Sequence, residues 1–220
     1  MKVRNLILLT MSIILLGSCA KDSGMRITTN TFANKEIIPK GFQKNDSFSI
    51  TTKQKGDELF AKEVSQKIAT VLEDRGFVVK TDGDADFNLN FSFGMEKSTH
   101  TRDVPVYIPD YGYWCYHHCC RYGCGYTIAY VPEEYTIFNK ILLVEVYKNG
   151  KKIPVWQGTA RSYEEHSDLR DSIDYLLITV FKNFGKNTQK YIKSKMERND
   201  QEVIKLRQRY FKPIGYVEKK

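Results

Sequence analysis

No part of this 220-residue chain is long and apolar enough to cross a bilayer as a helix, a task that takes about 20 consecutive apolar residues. Its longest apolar run, Leu6 to Leu16, is broken by Thr10 and Ser12. No internal repeat occurs. There is no glycine-rich loop able to cradle phosphates, only an isolated Gly123-x-Gly125. No Cys-x-x-Cys pair opens a helix as redox proteins require. The adjacent acids Glu133-Glu134 and Glu164-Glu165 diverge if they lie on strands, which excludes a shared acid–base site. His100 and His166 lack partners nearby in sequence and read as surface residues. A nucleophile needs a base and an orienting group, and these types coincide only in one cysteine–histidine cluster. The expectation is a protein that is not an enzyme and carries no cofactor.

The chain does have a leader. Lys2 and Arg4 precede the Leu6–Leu16 run, a basic start and a short apolar core of the kind that directs secretion and is removed. Leu16-Gly17-Ser18-Cys19 resembles the lipobox of bacterial lipoproteins. That resemblance implies diacylglyceryl transfer to the Cys19 thiol, cleavage before it and acylation of the new amino end. Two or more lipid chains anchor durably, at about 0.8 kcal/mol per buried methylene. Residues 1–18 are thus expected to be a signal peptide, and 19–27 a lipidated start and tether. Ala20 is compatible with outer-membrane sorting, so the expected location is the bacterial envelope, on the outer membrane and facing the periplasm.

Charge is uneven. Two of the 34 basic residues lie in the leader, so the remaining chain carries 32 against 26 acids, a net of +6. Lys186 to Lys220 holds eleven Lys and Arg against four acids, which leaves the rest near −1. This 186–220 tail reads either as a solvated, frayed end or as a region attracted to anionic lipid, where each cation is worth about 1 kcal/mol near the surface. Export argues against nucleic acid as a partner.

Hydrophobic spacing outlines the fold. Arg26 to Phe32 and Asp46 to Ile50 read as strands. Asp57 and Glu58 then open a helix carrying Phe60, Val64, Ile68, Val71 and Leu72, which Gly76 stops. Phe77 to Lys80 reads as a short strand, turned at Asp82-Gly83-Asp84 into one with Phe87, Leu89, Phe91, Phe93 and Met95 on alternate positions. Thr136 to Lys148 and Ile153 to Ala160 form a hairpin around Asn149-Gly150, a pair favoured in type I′ turns, with Lys151 and Lys152 able to lengthen the loop. A long helix starts near Ser167 with Ile173, Leu176, Leu177, Val180, Phe181 and Phe184 on one stripe. A fainter stripe continues through Tyr191, Ile192 and Met196, and beyond Asp200 no period stands out. One-sided alternation predicts an α+β fold, a twisted antiparallel sheet with two amphipathic helices packed on one face.

The order of these elements, Ala85-Asp86 leading into an alternating strand, the Tyr/Gly-rich insert and Val155-Trp156-Gln157-Gly158-Thr159-Ala160 before the closing helix resemble the domain called DUF4136. That family consists largely of bacterial envelope lipoproteins of unknown function. The resemblance implies an α+β sandwich and offers no catalytic residues; the domain is expected over 28–197 with an insert at 105–135, followed by a basic tail at 198–220. The cysteine-dense insert is not part of the family pattern.

Between Tyr107 and Tyr135 lie eight of the fourteen tyrosines and Trp114. At their centre stand Cys115, His117, His118, Cys119, Cys120 and Cys124. In an exported chain, four clustered cysteines point to disulfides. Bonding Cys119 to its neighbour Cys120 is strained. That leaves Cys115–Cys119 with Cys120–Cys124, or Cys115–Cys120 with Cys119–Cys124. Each bond closes a loop of about five residues and contributes about 2 kcal/mol. The alternative is a Zn²⁺ or Cu⁺ site built from the same four sulfurs and two imidazoles, although no distant second ligand pair accompanies it. Dense, half-exposed Tyr and Trp suit an interface, so loop 107–135 is expected to meet an envelope protein or a glycan. Cys19 is the odd cysteine of five, and the lipid claims it.

Overall fold

Among residues 24–52, 54, 56–81, 84–109 and 126–210, which the computed structural model describes, apolar spacing sorts the chain into seven strands and three helices. In order these are β1 (Met25–Ala33), β2 (Ser47–Thr52), α1 (Glu58–Asp74), β3 (Val78–Val79), β4 (Phe87–Pro109), β5 (Tyr126–Lys148), β6 (Pro154–Glu164), α2 (Leu169–Phe181), β7 (Ile192–Met196) and α3 (Gln201–Tyr210). The strands form one open sheet in the order β3-β2-β4-β5-β6-β1-β7. The helices contact one another and cover one face. The fold is α+β, as expected.

Both long helices start as the residue types dictate. Asp57 Oδ1 accepts from the Phe60 amide at 3.2 Å and Asp168 Oδ1 from Arg170 at 2.8 Å, each satisfying a donor the helix cannot. Every residue of the expected α1 stripe is buried, and so are Ile173, Leu176, Leu177, Val180 and Phe181 of α2. They meet Phe87, Leu89, Phe91 and Phe93 of β4, Leu142, Val144 and Val146 of β5, and Trp156 and Ala160 of β6. An aromatic cluster closes one end of this core, with Phe42 stacked on Phe184 at 4.6 Å and Trp156 edge-on to Phe184 at 4.8 Å.

Two short motifs gain a physical account. At Ala85-Asp86, the Asp86 carboxylate accepts from the Ser47 amide at 3.0 Å and the Ser47 hydroxyl at 2.5 Å, while Ser47 Oγ accepts from the Asp86 amide at 3.0 Å. This clasp joins the starts of β2 and β4. Hydrogen bonds from Ser47 hold the Asp86 carboxyl below its ordinary value. In Val155–Ala160, a Cβ at Gly158 would lie 2.4 Å from Trp156 Cη2 and 2.6 Å from Val180 Cγ2. The bare backbone there lets α2 lie against β6.

Besides strands β4 and β5 running on through 105–109 and 126–135, where an insert was expected, the structure departs from the sequence reading in four places. β2 lies between β3 and β4 and runs parallel to both, so the sheet is mixed and Phe77–Lys80 forms no hairpin with β4. Helix α1 is the crossover that parallel pairing of β2 and β3 demands. At Asn149-Gly150 only Gly150 has positive φ, at 77°, so the turn is not type I′. The second helix ends at Phe181, and the chain turns at Gly185, whose φ of 72° belongs to the left-handed region. The faint stripe beyond it is strand β7, paired with β1. Finally, residues 201–210 of the basic tail are helix α3, and its Val203 and Leu206 join the core.

A projecting ribbon as the candidate functional site

The most unusual element is the β4–β5 hairpin, twenty-three residues on each side. β2 follows β4 only as far as Phe91, and β6 follows β5 only from Phe138. From Lys97 to Pro109 and from Tyr126 to Ile137 the two strands pair only with each other. Twelve steps at about 3.3 Å carry this ribbon some 40 Å past the sheet. An isolated two-stranded hairpin is marginal in water, so its side chains should show what sustains it.

The stem is polar and cross-braced. Arg102 Nε donates to Glu133 Oε2 at 2.9 Å, and its guanidinium lies 5.1 Å from the centre of the Tyr135 ring. The hydrogen bond and charge of Glu133 raise the pKa of Arg102. His100 tilts against Tyr135 with ring centres 5.7 Å apart, and its Nε2 lies 3.0 Å from Ser98 Oγ. Glu133 and Glu134 diverge as adjacent strand residues should, with Glu133 engaged by Arg102. His100 is exposed.

Beyond Asp103 and Pro132 the ribbon is uncharged through Ile108 and Thr127. Val104 pairs with Val131 and Val106 with Ala129 on one face, while Pro105 pairs with Tyr130 and Tyr107 with Ile128 on the other. Both faces are apolar. Tyr107 is 64%, Ile108 48%, Ile128 51% and Tyr130 68% exposed. Pro105 and Pro132 occupy ladder positions of the same parity. Since proline donates nothing, their nitrogens face away from the partner strand and remove donors from both outer edges.

A second cluster lies at the base of the ribbon on the helix side, in a cleft of about 300 Å³ lined in part by Lys140, Glu164, His166, Asp168 and Arg207. The Lys140 ammonium donates to Glu164 Oε2 at 2.6 Å, the Asp168 carbonyl at 2.6 Å and Ser172 Oγ at 2.7 Å. Those bonds use all three of its protons. Lys140 and Ser172 are both fully buried, and the cluster ties β5 and β6 to the start of α2. A third group pins α3: buried Asp174 lies 2.7 Å from Lys67 Nζ and accepts from Arg207 Nε at 2.7 Å. The Lys67 ammonium meets Oδ1 away from ideal hydrogen-bond direction, but at 2.7 Å between buried side chains the contact is an ion pair. Arg207 and Arg209, which pairs with Asp74, are thus spent internally, and the tail carries less unpaired charge than its sequence suggests. Neither buried cluster has a periodic signal in sequence. A lysine amid apolar alternation at 140 was the only available cue to the first.

Cys19 and the cluster Cys115, His117, His118, Cys119, Cys120 and Cys124 lie outside the described residues. Among the described residues no group of three His, Cys, Asp or Glu is placed to hold a metal ion, and no helix is long and apolar enough to cross a membrane.

A family model described as "Domain of unknown function (DUF4136)" matches residues 29–184. No curated protein matches the chain. Solved structures with a similar course include two of a PelC dodecamer from Paraburkholderia phytofirmans, one of them a point variant. Their TM-scores are 0.41 and 0.40 at 10% and 9% identity, covering 73% of this chain and 98% and 99% of theirs. A PDZ domain protein from Parabacteroides distasonis gives a TM-score of 0.41 at 11% identity over 81% of this chain and 41% of its own. Likenesses this distant carry no functional argument.

Proposed function

The chain belongs to the DUF4136 family, and we propose that it is a lipid-anchored bacterial envelope module that does no chemistry of its own and presents a Tyr-rich loop to another envelope component. One observation carries the reading: a 40 Å ribbon, polar at its stem and apolar on both faces from Val104 to Ile108 and from Thr127 to Val131, adds none of its described residues to the core. Apolar surface exposed on both faces over five residues of each strand marks an interaction site. The lipobox-like leader supplies the anchor at Cys19 and the periplasmic, outer-membrane location. Mass measurement of the amino-terminal peptide from cells tests the anchor, with a diacylglyceryl Cys19 expected and an unmodified or retained leader opposing it. A photo-crosslinking residue at Tyr107 tests the contact: a crosslinked envelope component is expected there and not at an exposed position of the sheet such as Lys148, and equal labelling at both positions opposes the reading.

The second reading is a metal-binding or redox lipoprotein using Cys115, His117, His118, Cys119, Cys120 and Cys124. It is favoured by six sulfur and nitrogen donors within ten residues. Replacing the four loop cysteines while keeping Cys19 separates the two. Loss of bound metal or redox activity with the fold intact supports the second, whereas loss of loop rigidity alone supports the first.

A further inference from the structure

The ribbon and the amino-terminal tether leave the domain at the same end. Ile27 pairs with Ser162, Ser162 with Lys140 and Lys140 with Met95. Two residues further along, β1 therefore begins at Met25 level with Phe138 and Lys97, where the ribbon departs. We propose that this end is the membrane-facing end and that the apolar part of the ribbon, Val104–Ile108 with Thr127–Val131, lies among the lipid headgroups and upper acyl chains. The inference rests on the lipid-anchored reading and names the envelope component that the ribbon meets.

Chain lengths support the placement. Six steps from Cys19 to Met25 span at most about 20 Å even when extended. The ribbon reaches about 40 Å from the level of Met25. A chain anchored at Cys19 thus holds its ribbon within reach of the bilayer whether the ribbon points into it or lies along it.

The surface chemistry agrees. A folded protein partner covers one face of a ribbon, whereas lipid surrounds both, and here both are apolar. Tyr107 and Tyr130 have the amphipathic rings that settle at the headgroup level. Open strand edges are costly in hydrocarbon because unpaired donors go unsatisfied, and Pro105 and Pro132 remove donors from these edges. At the same end, the face of the sheet away from the helices carries Arg26 directly opposite Lys195, with Thr28 between Arg161 and Lys193. All four cations are exposed. A bilayer with anionic headgroups complements them, and such attraction weakens with salt.

The test uses the chain from residue 19 with Cys19→Ser, so that no lipid holds it to the membrane. It is mixed with vesicles of phosphatidylethanolamine and phosphatidylglycerol. Binding is expected, with part of it surviving high salt, and a Tyr107→Trp probe should be quenched by lipids brominated near the headgroup. Ile108→Asp with Ile128→Asp should weaken binding at least tenfold, since two half-buried isoleucines are worth more than one factor of ten. Arg26→Glu with Lys193→Glu should remove mainly the salt-sensitive part. Both sets lie outside the core, so an unchanged melting temperature shows that they fold. Full binding by the isoleucine pair, an unquenched probe, or crosslinking of Tyr107 in cells to protein rather than lipid would overturn the proposal. The amino-terminal mass is measured separately, so failure of the anchor and failure of the ribbon contact are distinguishable.

Discussion

Gly158→Ala is expected to be among the most destabilising single-methyl additions in this fold. The new Cβ would stand 2.4 Å from Trp156 Cη2, 2.9 Å from its Cζ2 and 2.6 Å from Val180 Cγ2. Carbon atoms in contact settle at about 3.5–4.0 Å, so each neighbour must retreat by about 1 Å. Trp156 has little room to do so. It is 1% exposed, its Nε1 donates to the Lys186 carbonyl at 3.2 Å, and Phe184 meets its ring edge-on. The remaining relaxation is for α2 to lift off β6, which loosens Val180 and its core neighbours together. Overpacking of this kind costs about 1–3 kcal/mol, and two simultaneous clashes place the expected loss near the upper end. For a domain of this size about 3 kcal/mol corresponds to a fall in melting temperature of roughly 6–12 °C. Gly94→Ala is the control: on β4, a Cβ added there would meet nothing within 4 Å, and the change should alter stability by less than about 0.5 kcal/mol. Adding Val180→Ala to Gly158→Ala should be less than additive, because the second change relieves a clash created by the first. A Gly158→Ala protein melting within about 2 °C of the parent, or no lower than Gly94→Ala, would refute the reasoning.

Asp174→Ala leaves Lys67 buried with Glu63 as its remaining ion-pair partner and frees Arg207, so a loss of about 3–5 kcal/mol is expected, with proteolysis near residues 201–210 as the first visible sign. Asp86 titrates below its ordinary value because Ser47 hydrogen-bonds its charged form. Its contribution is therefore present above the unfolded carboxylate pKa and lost as pH falls through the lower folded one. The gap in urea midpoint between the parent and Asp86→Asn should narrow as pH drops from 7 towards 3, and a gap independent of pH would contradict the clasp. Replacing residues 99–136 with a tight turn should leave the melting temperature nearly unchanged, since none of the described residues among them joins the core cluster.

How much of this was legible in advance follows from where one face is buried and one wet. β4 from Phe87 to Phe93 and the stripe of α1 have that contrast, so period alone places them, whereas α2 is buried all round from Ser172 to Phe181 and shows a stripe because Ser172, Asp174 and Thr179 interrupt its apolar residues. β2 is parallel to its neighbours, and pairing direction is set by the α1 crossover rather than by any local pattern. β7 and α3 were harder because each buries little: Met196 alone of its strand is buried, and only Val203 and Leu206 of α3. Their weak periodicity is the expected trace of elements laid on the margin of a core already complete.

The ribbon escaped the same reading for the opposite reason. Val104-Pro105-Val106-Tyr107-Ile108 has no alternation, because neither face is turned to a core and neither is kept polar. A loop insert at 105–135 was the natural expectation, yet 105–109 and 126–135 are strand. Lack of contrast is thus itself informative. A strand whose two faces are equally apolar is either sandwiched inside a protein or surrounded by something outside it. The first is excluded here by the exposure of Tyr107, Ile108, Ile128 and Tyr130, and the second is the proposal made above. That choice turns a feature without a folding role into a statement about surroundings. Arg102, Glu133 and Tyr135 cross-brace the polar stem, prolines remove donors from the ribbon's edges, and the apolar stretch begins only beyond Asp103 and Pro132. An accident of sequence drift would not be expected to keep charge on the stem and leave none from Val104 to Ile108 or from Thr127 to Val131.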